Sequence, residues 1–300
     1  MKKNVLITGG TGLLGQAITD ILLNKGYSVS YLSRKARTGD KVKYYQWDPE
    51  KGMIDPEAIQ QAHYIIHLAG ANVGGQRWTE AYKAKIVNSR VQSGKLLSDK
   101  LKELDHQVEA FISASAVGYY GHTGGQLITE SAEAGSDFLA GVCVAWEKST
   151  QPIVDQGIRG VWIRIGVVLA EGGGALAKMV LPVKYMVGSP LGSGKQYVSW
   201  IHIEDIARLF VFALENEQMK GVYNGAAPIP VTNKELTETI AKVLGRPILL
   251  PNVPEFALRL LLGEQADIVL KGCKVYTGKI KHQGFTFKHP DLQEALKGLL

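Results

Sequence analysis

Residues 4–15 read Asn4-Val5-Leu6-Ile7-Thr8-Gly9-Gly10-Thr11-Gly12-Leu13-Leu14-Gly15, and this stretch decides the fold. Its first five residues form a short, nearly unbroken apolar run, the pattern of a parallel strand buried on both faces. Glycines follow at 9, 12 and 15, and Gln16 to Asn24 then carries apolar residues at 17, 18, 21 and 22 on a helical period. In such a strand–turn–helix unit the first glycine lets the chain leave the strand sharply. The second lets backbone approach a pyrophosphate, and the third lets helix and strand pack closely. Phosphate oxygens then meet the free N–H groups and positive end of a helix starting at Leu13. Gly9, Thr11, Gly12, Leu13, Leu14 and Gly15 are therefore the predicted phosphate contacts. No Gly-Lys-Ser/Thr closes the turn, which excludes a P-loop.

Outward from the turn, Gly26 ends the helix and Tyr27 to Ser33 restarts a strand. The alternation continues with strands at Val42 to Trp47, Ala62 to Ala69, Val108 to Ser115 and Ile158 to Ile165, and helices at Glu80 to Leu104 and Phe138 to Gln156. This series predicts an α/β fold, a Rossmann-type doubly wound parallel sheet with right-handed crossovers. Beyond Gly166 the pattern loosens, and Gly172-Gly173-Gly174, Pro182, Gly188, Pro190, Gly192 and Gly194 punctuate a stretch in which no helix is predicted. Helices are predicted again over Ile203 to Glu217, Asn233 to Leu244, Pro254 to Leu262 and Asp291 to Leu299. The division is a dinucleotide-binding domain over 1–225 and a smaller, partly interleaved lobe over 226–300, with 170–200 contributing to the second lobe.

Composition bounds the function. With 300 residues, 45% hydrophobic and 21% charged, the chain can bury a core and is not disordered. Cys143 and Cys273 stand far apart with no ligand spacing, so neither a structural metal nor a disulfide framework is expected, and a cytoplasmic location is. No 18-residue apolar run or signal-peptide pattern occurs, so no membrane partner is expected. The net charge of +6 is scattered. The nearest basic clusters, Arg34-Lys35-Ala36-Arg37 and Lys279-Ile280-Lys281-His282, lack interleaved aromatics, so no nucleic-acid partner is expected either. The expected partner is a small-molecule substrate, and a homodimer is left open.

The second strand ends at Ser33-Arg34, where an NAD-preferring site would place an acid against the ribose hydroxyls. An arginine there meets a 2'-phosphate with planar paired donors, so NADP(H) is predicted over NAD(H), with Lys35 or Arg37 assisting. Leu68, Ala69 and Gly70 close the next strand with small side chains that let backbone lie along a ribose, while His67 before them reads as structural. Asp48 either reaches the adenine amine or caps the turn before Pro49.

With these residues in place, the sequence resembles the extended short-chain dehydrogenase/reductase superfamily, and within it the NAD-dependent epimerase/dehydratase-like group. The motifs are TGGTGLLG at 8–15, HLAGA at 67–71, SASAVGYYG at 113–121 and VSWIHIEDIA at 198–207, with the group's own RW at 77–78, NSR at 88–90, VCVAWE at 142–147, WIRIGVVL at 162–169 and VPEFALRLLLGEQADIVLKG at 253–272. The resemblance implies a dinucleotide-binding Rossmann protein with its substrate cleft over the carboxyl ends of the strands. It also implies that Ser115 matches the superfamily's catalytic serine or threonine, with Ser113 one face-repeat earlier.

The superfamily's tyrosine–lysine pair, YxxxK, is missing. Aligned on Glu147, Leu139 stands at the tyrosine and Cys143 at the lysine, and Lys148 has Val144 four positions before it, so no shift of register restores the pair. Ser115, Tyr119 and Cys143 are then the catalytic candidates, Tyr120 lying beside Tyr119. Ser113, Arg164 and Gly166 are assigned to the nicotinamide end, with the reservation that Arg164 interrupts an apolar strand and needs an anionic or carbonyl partner. Arg77 and Arg90 are candidates for substrate anions, Ser89 approximates a cleft-facing helix asparagine, His202 is expected to bond across the lobe boundary, and Asp205 to accept at a helix start. The functional expectation is an NADP(H)-binding oxidoreductase or epimerase-like enzyme acting on a small carbonyl or hydroxyl compound. The alternative is a non-catalytic dinucleotide-binding sensor or interaction protein.

Overall fold

The computed structural model describes residues 2–35 and 39–300; Arg37, a predicted helper at the second strand's end, lies outside them. In chain order the first elements are β1 (Asn4–Thr8), α1 (Leu13–Asn24), β2 (Ser28–Ser33), β3 (Lys43–Asp48), β4 (Met53–Ile54), α2 (Pro56–Gln60), β5 (Tyr64–His67), α3 (Glu80–Glu103) and β6 (Ala110–Ala116). A one-turn 3-10 helix, Val117–Tyr120, leads to β7 (Leu127–Ile128), α4 (Phe138–Asp155), β8 (Arg159–Ile165), β9 (Val167–Leu169), α5 (Gly174–Lys184), β10 (Tyr197–Val198), β11 (Trp200–His202), α6 (Ile203–Glu215) and β12 (Gly221–Gly225). Last come β13 (Val231–Thr232), α7 (Asn233–Val243), α8 (Glu255–Leu262), α9 (Asp267–Leu270), β14 (Lys274–Val275), α10 (Gly278–His282) and α11 (Leu292–Lys297).

Eight strands form one sheet in the order β12-β8-β6-β5-β1-β2-β3-β4. All pairings are parallel except β3 with β4, which turns back at the edge. The apolar run of β1 earns its central place by alternation: Val5 and Ile7 join Ile18, Leu22 and Phe210 on one face, while Leu6 joins Leu96, Leu97 and Phe111 on the other. Strand order reverses between β1 and β5, so the crevice between their carboxyl ends is the sheet's topological switch point, where open α/β sheets place ligands.

The second lobe has its own core, in which Leu176 and Val183 of α5 meet Leu236 and Ile240 of α7, Leu292 and Leu296 of α11, and Trp200. Helix α5 was not anticipated. Glycine in the left-handed region at 172 and 174 (φ +64° at both) turns the chain into it, and Pro182, inside the helix in its last turn, gives up an N–H bond close to the point where the helix ends. Helix α2 was also missed, although Asp55 caps it and Pro56 begins it. Residues 278–285 leave the second lobe, and Ile280 and Phe285 pack into the first core. Among the described residues no helix is long and apolar enough to cross a membrane.

Candidate functional site

At the switch point the glycines divide their work. Gly9 takes φ +71°, a left-handed turn out of β1. A Cβ on Gly15 would lie 2.6 Å from Gly9 O and from Gly10 Cα, so only glycine lets α1 approach the turn. A Cβ on Gly12 would meet nothing nearer than Gly9 O at 3.4 Å, because that side of the turn is open. Gly12 is also the N-cap of α1 and supplies no side-chain acceptor, and the first turn holds no acid. The N–H groups of Leu13, Leu14 and Gly15 therefore have no acceptor among the described residues and point, with the positive helix end, at the crevice. That is a cradle for phosphate oxygens.

Thr8, passed over in the sequence, organises the opposite lip. Its Oγ1 accepts from the backbone N–H of Leu68 and of Ala69, each at 3.1 Å, and donates to His67 Nδ1 at 2.8 Å. Burial and the nearby Arg90 charge push His67 down to about 3, so the neutral ring accepts that proton and is structural, as expected. Leu68 and Ala69 are half-buried and Gly70 exposed beside the glycine turn. A cleft of about 280 Å³ continues from the turn, walled by Leu13 and Leu14 on one side and Val167, Val168, Ala175 and Ile203 on the other. Thr11 is exposed in the glycine turn, and Arg34, exposed just after β2, forms no ion pair with a described residue. Ser33 Oγ donates to Lys35 O at 2.9 Å and shapes that corner. Asp48 takes the turn role the sequence offered: its carboxylate accepts from Glu50 N at 3.1 Å and faces Lys51, with the side chain partly exposed.

Beyond β6 the expected catalytic groups are engaged elsewhere. Ser115, buried, donates to Glu147 Oε1 at 2.6 Å, so its one proton is not available to a substrate oxygen. Arg164 is also corrected. Its Nε and Nη2 bind the two oxygens of Glu147 at 2.8 and 2.9 Å, and Nη1 donates to Tyr120 Oη and to Glu130 O, which leaves the guanidinium committed to the protein. Tyr120 in turn donates to Asn224 Oδ1 at 2.8 Å; burial pushes its phenol up to about 12 despite the Arg164 charge. Ser113 is fully enclosed, with its hydroxyl on Ala114 O, and cannot reach a ligand. A Cβ on Gly166 would fall 2.1 Å from Ser199 O, so that glycine serves close packing of β11's approach. Cys143 is buried, and burial together with the nearby Glu147 charge pushes its thiol up to about 11, which disfavours a thiolate nucleophile. Tyr119 alone keeps its hydroxyl free of described partners, its half-buried ring stacked 3.3 Å from Arg164 Cζ. Where the tyrosine–lysine pair would stand, Leu139 and Cys143 face Gly118, within 3.6 and 3.9 Å of a Cβ placed there.

Helix α3 braces the strip after β5. Ser89 Oγ accepts from Ala71 N at 2.9 Å, and Arg90 Nη1 donates to Ala71 O and Ile86 O. Arg77 is exposed near Gly263 of the second lobe. Trp78 and Trp200 each donate to a backbone carbonyl. His202 bonds where the lobes meet: its Nδ1 accepts from Glu204 N as the cap of α6, and its ring stacks at 3.8 Å on His289, a partner the sequence did not reveal. His202, Glu204 and His289 offer three ligand-type atoms within 4.8 Å. Their bonds are internal, however, with His289 and Lys288 both on the Glu204 carboxylate. Asp205 accepts from the backbone N–H of Lys288 and His289, each at 2.8 Å.

A family model described as the NAD dependent epimerase/dehydratase family matches residues 5–226. The chain belongs to this family. A second model, a domain of unknown function (DUF1731), matches residues 253–299. The epimerase family protein YfhF of Bacillus subtilis is 40% identical over 300 residues, covering 99% of this chain and 98% of that protein. Among solved structures, human epimerase family protein SDR39U1 with NADPH superposes with a TM-score of 0.88 at 31% identity, covering 99% of this chain and 98% of that one. UDP-glucose 4-epimerase from Thermotoga maritima, with UDP-glucose, has a TM-score of 0.79 at 19% identity, covering 99% and 97%; at that identity the likeness is one of fold. The family assignment agrees with the Rossmann-type sheet and leaves the substrate of this member open.

Proposed function

We propose that this family member binds NADPH at the β1/β5 switch point and works as an oxidoreductase on a small carbonyl or hydroxyl compound. The observation that carries the reading is the uncapped start of α1, whose Leu13, Leu14 and Gly15 N–H groups are open to the crevice. These groups would hold the phosphates, Arg34 the 2'-phosphate, and the Leu68–Gly70 backbone a ribose. The human relative crystallised with NADPH supports the same preference. When bound, a nicotinamide supplies or accepts hydride. The chain's own residues Leu13, Val167 and Ile203 wall the cleft with apolar surface and would orient the cofactor. A route that begins by deprotonating a hydroxyl, whether epimerisation or alcohol oxidation, is less favoured than carbonyl reduction, because Leu139 and a buried Cys143 occupy the acid/base positions. That same replacement favours the second reading, a sensor that binds cofactor without turnover. Two buried, unbridged cysteines suit a reducing cytoplasm.

The test is calorimetric titration of the wild type and Arg34→Ala with NADPH and NADH. Arg34→Ala should weaken NADPH by about 1–3 kcal/mol and leave NADH nearly unchanged. Equal losses for both would remove the 2'-phosphate assignment.

A further inference from the structure

We infer that Arg90 binds a substrate oxygen carrying negative charge beneath Gly70, supplying by charge what a missing proton donor would supply by proton transfer. The inference rests on the oxidoreductase reading above. Two arginines, Arg90 and Arg164, are buried at the carboxyl ends of the strands, and they are treated differently. Arg164 has the Glu147 carboxylate paired with its Nε and Nη2. Arg90, only 9% exposed, has no carboxylate within ion-pair distance among the described residues. A buried guanidinium without a counter-charge is costly, and few sites retain one without a ligand.

The side chain is built into place. Arg90 stacks 4.8 Å from the Trp146 ring, and Nη1 spends its protons on Ala71 O at 3.1 Å and Ile86 O at 2.9 Å. Nε and Nη2 have no acceptor among the described residues. They are not fully enclosed: the enclosed side-chain polar atoms without a partner are Thr123 Oγ1 and Trp146 Nε1, so the idle N–H groups of Arg90 keep some exposure. Gly70, which is exposed, lies directly against the guanidinium: a Cβ there would come within 2.9 Å of Arg90 Cζ and 3.1 Å of Nη2. Glycine at this position lets the backbone after β5 approach the guanidinium that closely, and any side chain there would crowd it. Around it, Leu139 has no proton to give, the Cys143 thiol is buried, Ser115 directs its proton at Glu147, and the Tyr119 ring stacks on Arg164 instead.

The chemistry follows from the charge. When a carbonyl carbon gains hydride, with the reduced nicotinamide dinucleotide as the reductant, the π electron pair moves to oxygen and an alkoxide forms. Arg90 holds that alkoxide through its idle N–H groups, and water then protonates it. A guanidinium does not titrate in the working range, so it acts as a fixed, preorganised donor. The substrate class is thus an aldehyde, ketone or quinone whose oxygen becomes anionic.

Benzoate, a flat carboxylate, imitates that oxygen, and its binding to protein saturated with NADP+ is readable by calorimetry without turnover. Wild type should bind benzoate, Arg90→Gln should weaken it at least about tenfold, and Arg90→Lys should recover part of the loss, with NADPH affinity little changed throughout. If Arg90→Gln does not fold, the benzoate complex of the wild type decides, with a carboxylate oxygen expected about 3 Å from Nη2. Failure of wild type to bind benzoate, benzoate bound elsewhere, unchanged affinity in Arg90→Gln, or a loss confined to NADPH would each overturn the inference. Failure of the wild type to bind NADPH would instead overturn the oxidoreductase reading.

Discussion

Glu147 is the residue on which the polar interior turns. Its carboxylate receives Ser115 Oγ and the paired Nε and Nη2 of Arg164, with a side chain only 15% exposed. Removing it would leave a buried guanidinium with a phenol and a carbonyl but no charge, a loss of about 3–5 kcal/mol. Glu147→Ala should therefore lose that much stability in urea denaturation. Ser115→Ala removes one hydrogen bond to the same carboxylate and should cost about 1 kcal/mol. It should leave turnover close to wild type, because its proton is held by Glu147. A large rate loss in Ser115→Ala with unchanged stability would restore its catalytic role. The sequence announced that Arg164 needed a partner but not which one: Glu147 lies 17 positions away on a different element, and only the packing of α4 on the sheet joins them.

The start of α6 shows an element fixed from both lobes. His202 caps it, and Asp205 on its first turn collects the N–H groups of Lys288 and His289 from the far end of the chain. Burial, helped by His289, pushes His202 down to about 4 from 6.5, and burial pushes His67 to about 3. The folded protein thus binds fewer protons than the unfolded chain as pH falls below about 6.5, so stability declines in that direction. Between pH 6.5 and 4.5 each histidine contributes on the order of 2 kcal/mol to the decline. Glu204 adds to it lower down: burial would raise it, but bonds from His289 and Lys288 hold it near about 2, and its contribution is lost as pH falls from 4.5 toward that value. His202→Asn keeps a capping oxygen and removes one titration. Its stability, followed by urea melts from pH 7 to 4.5, should fall about half as steeply as wild type; an identical slope would show that His202 does not carry the linkage. Most helices were legible from period and caps. Helix α5 was not, because its glycine entry and Pro182 carry the signals of a loop, and its apolar face is explained only by α7 and α11, which come later in the chain.

At the scale of the whole molecule, the parallel sheet and its switch point were readable because one apolar run, three glycines and one amphipathic helix constrain one another locally. The site was readable on the same side only: the phosphate cradle follows from backbone spacing, whereas the fates of Ser113, Ser115, Cys143 and Arg164 depend on which face each strand or helix turns to a distant neighbour. Asp48 was undecided in the sequence because a turn cap and a ligand acceptor look alike there. The account's central claim is that the open start of α1 and the Arg34 corner form one site for a phosphorylated dinucleotide. Calorimetric titration of the wild-type chain with NADPH, NADH and 2',5'-ADP tests it most directly. Saturable one-to-one binding of NADPH, at least about tenfold tighter than NADH and competed by 2',5'-ADP, is the predicted result; absence of saturable NADPH binding, or equal affinity for NADH, would contradict it.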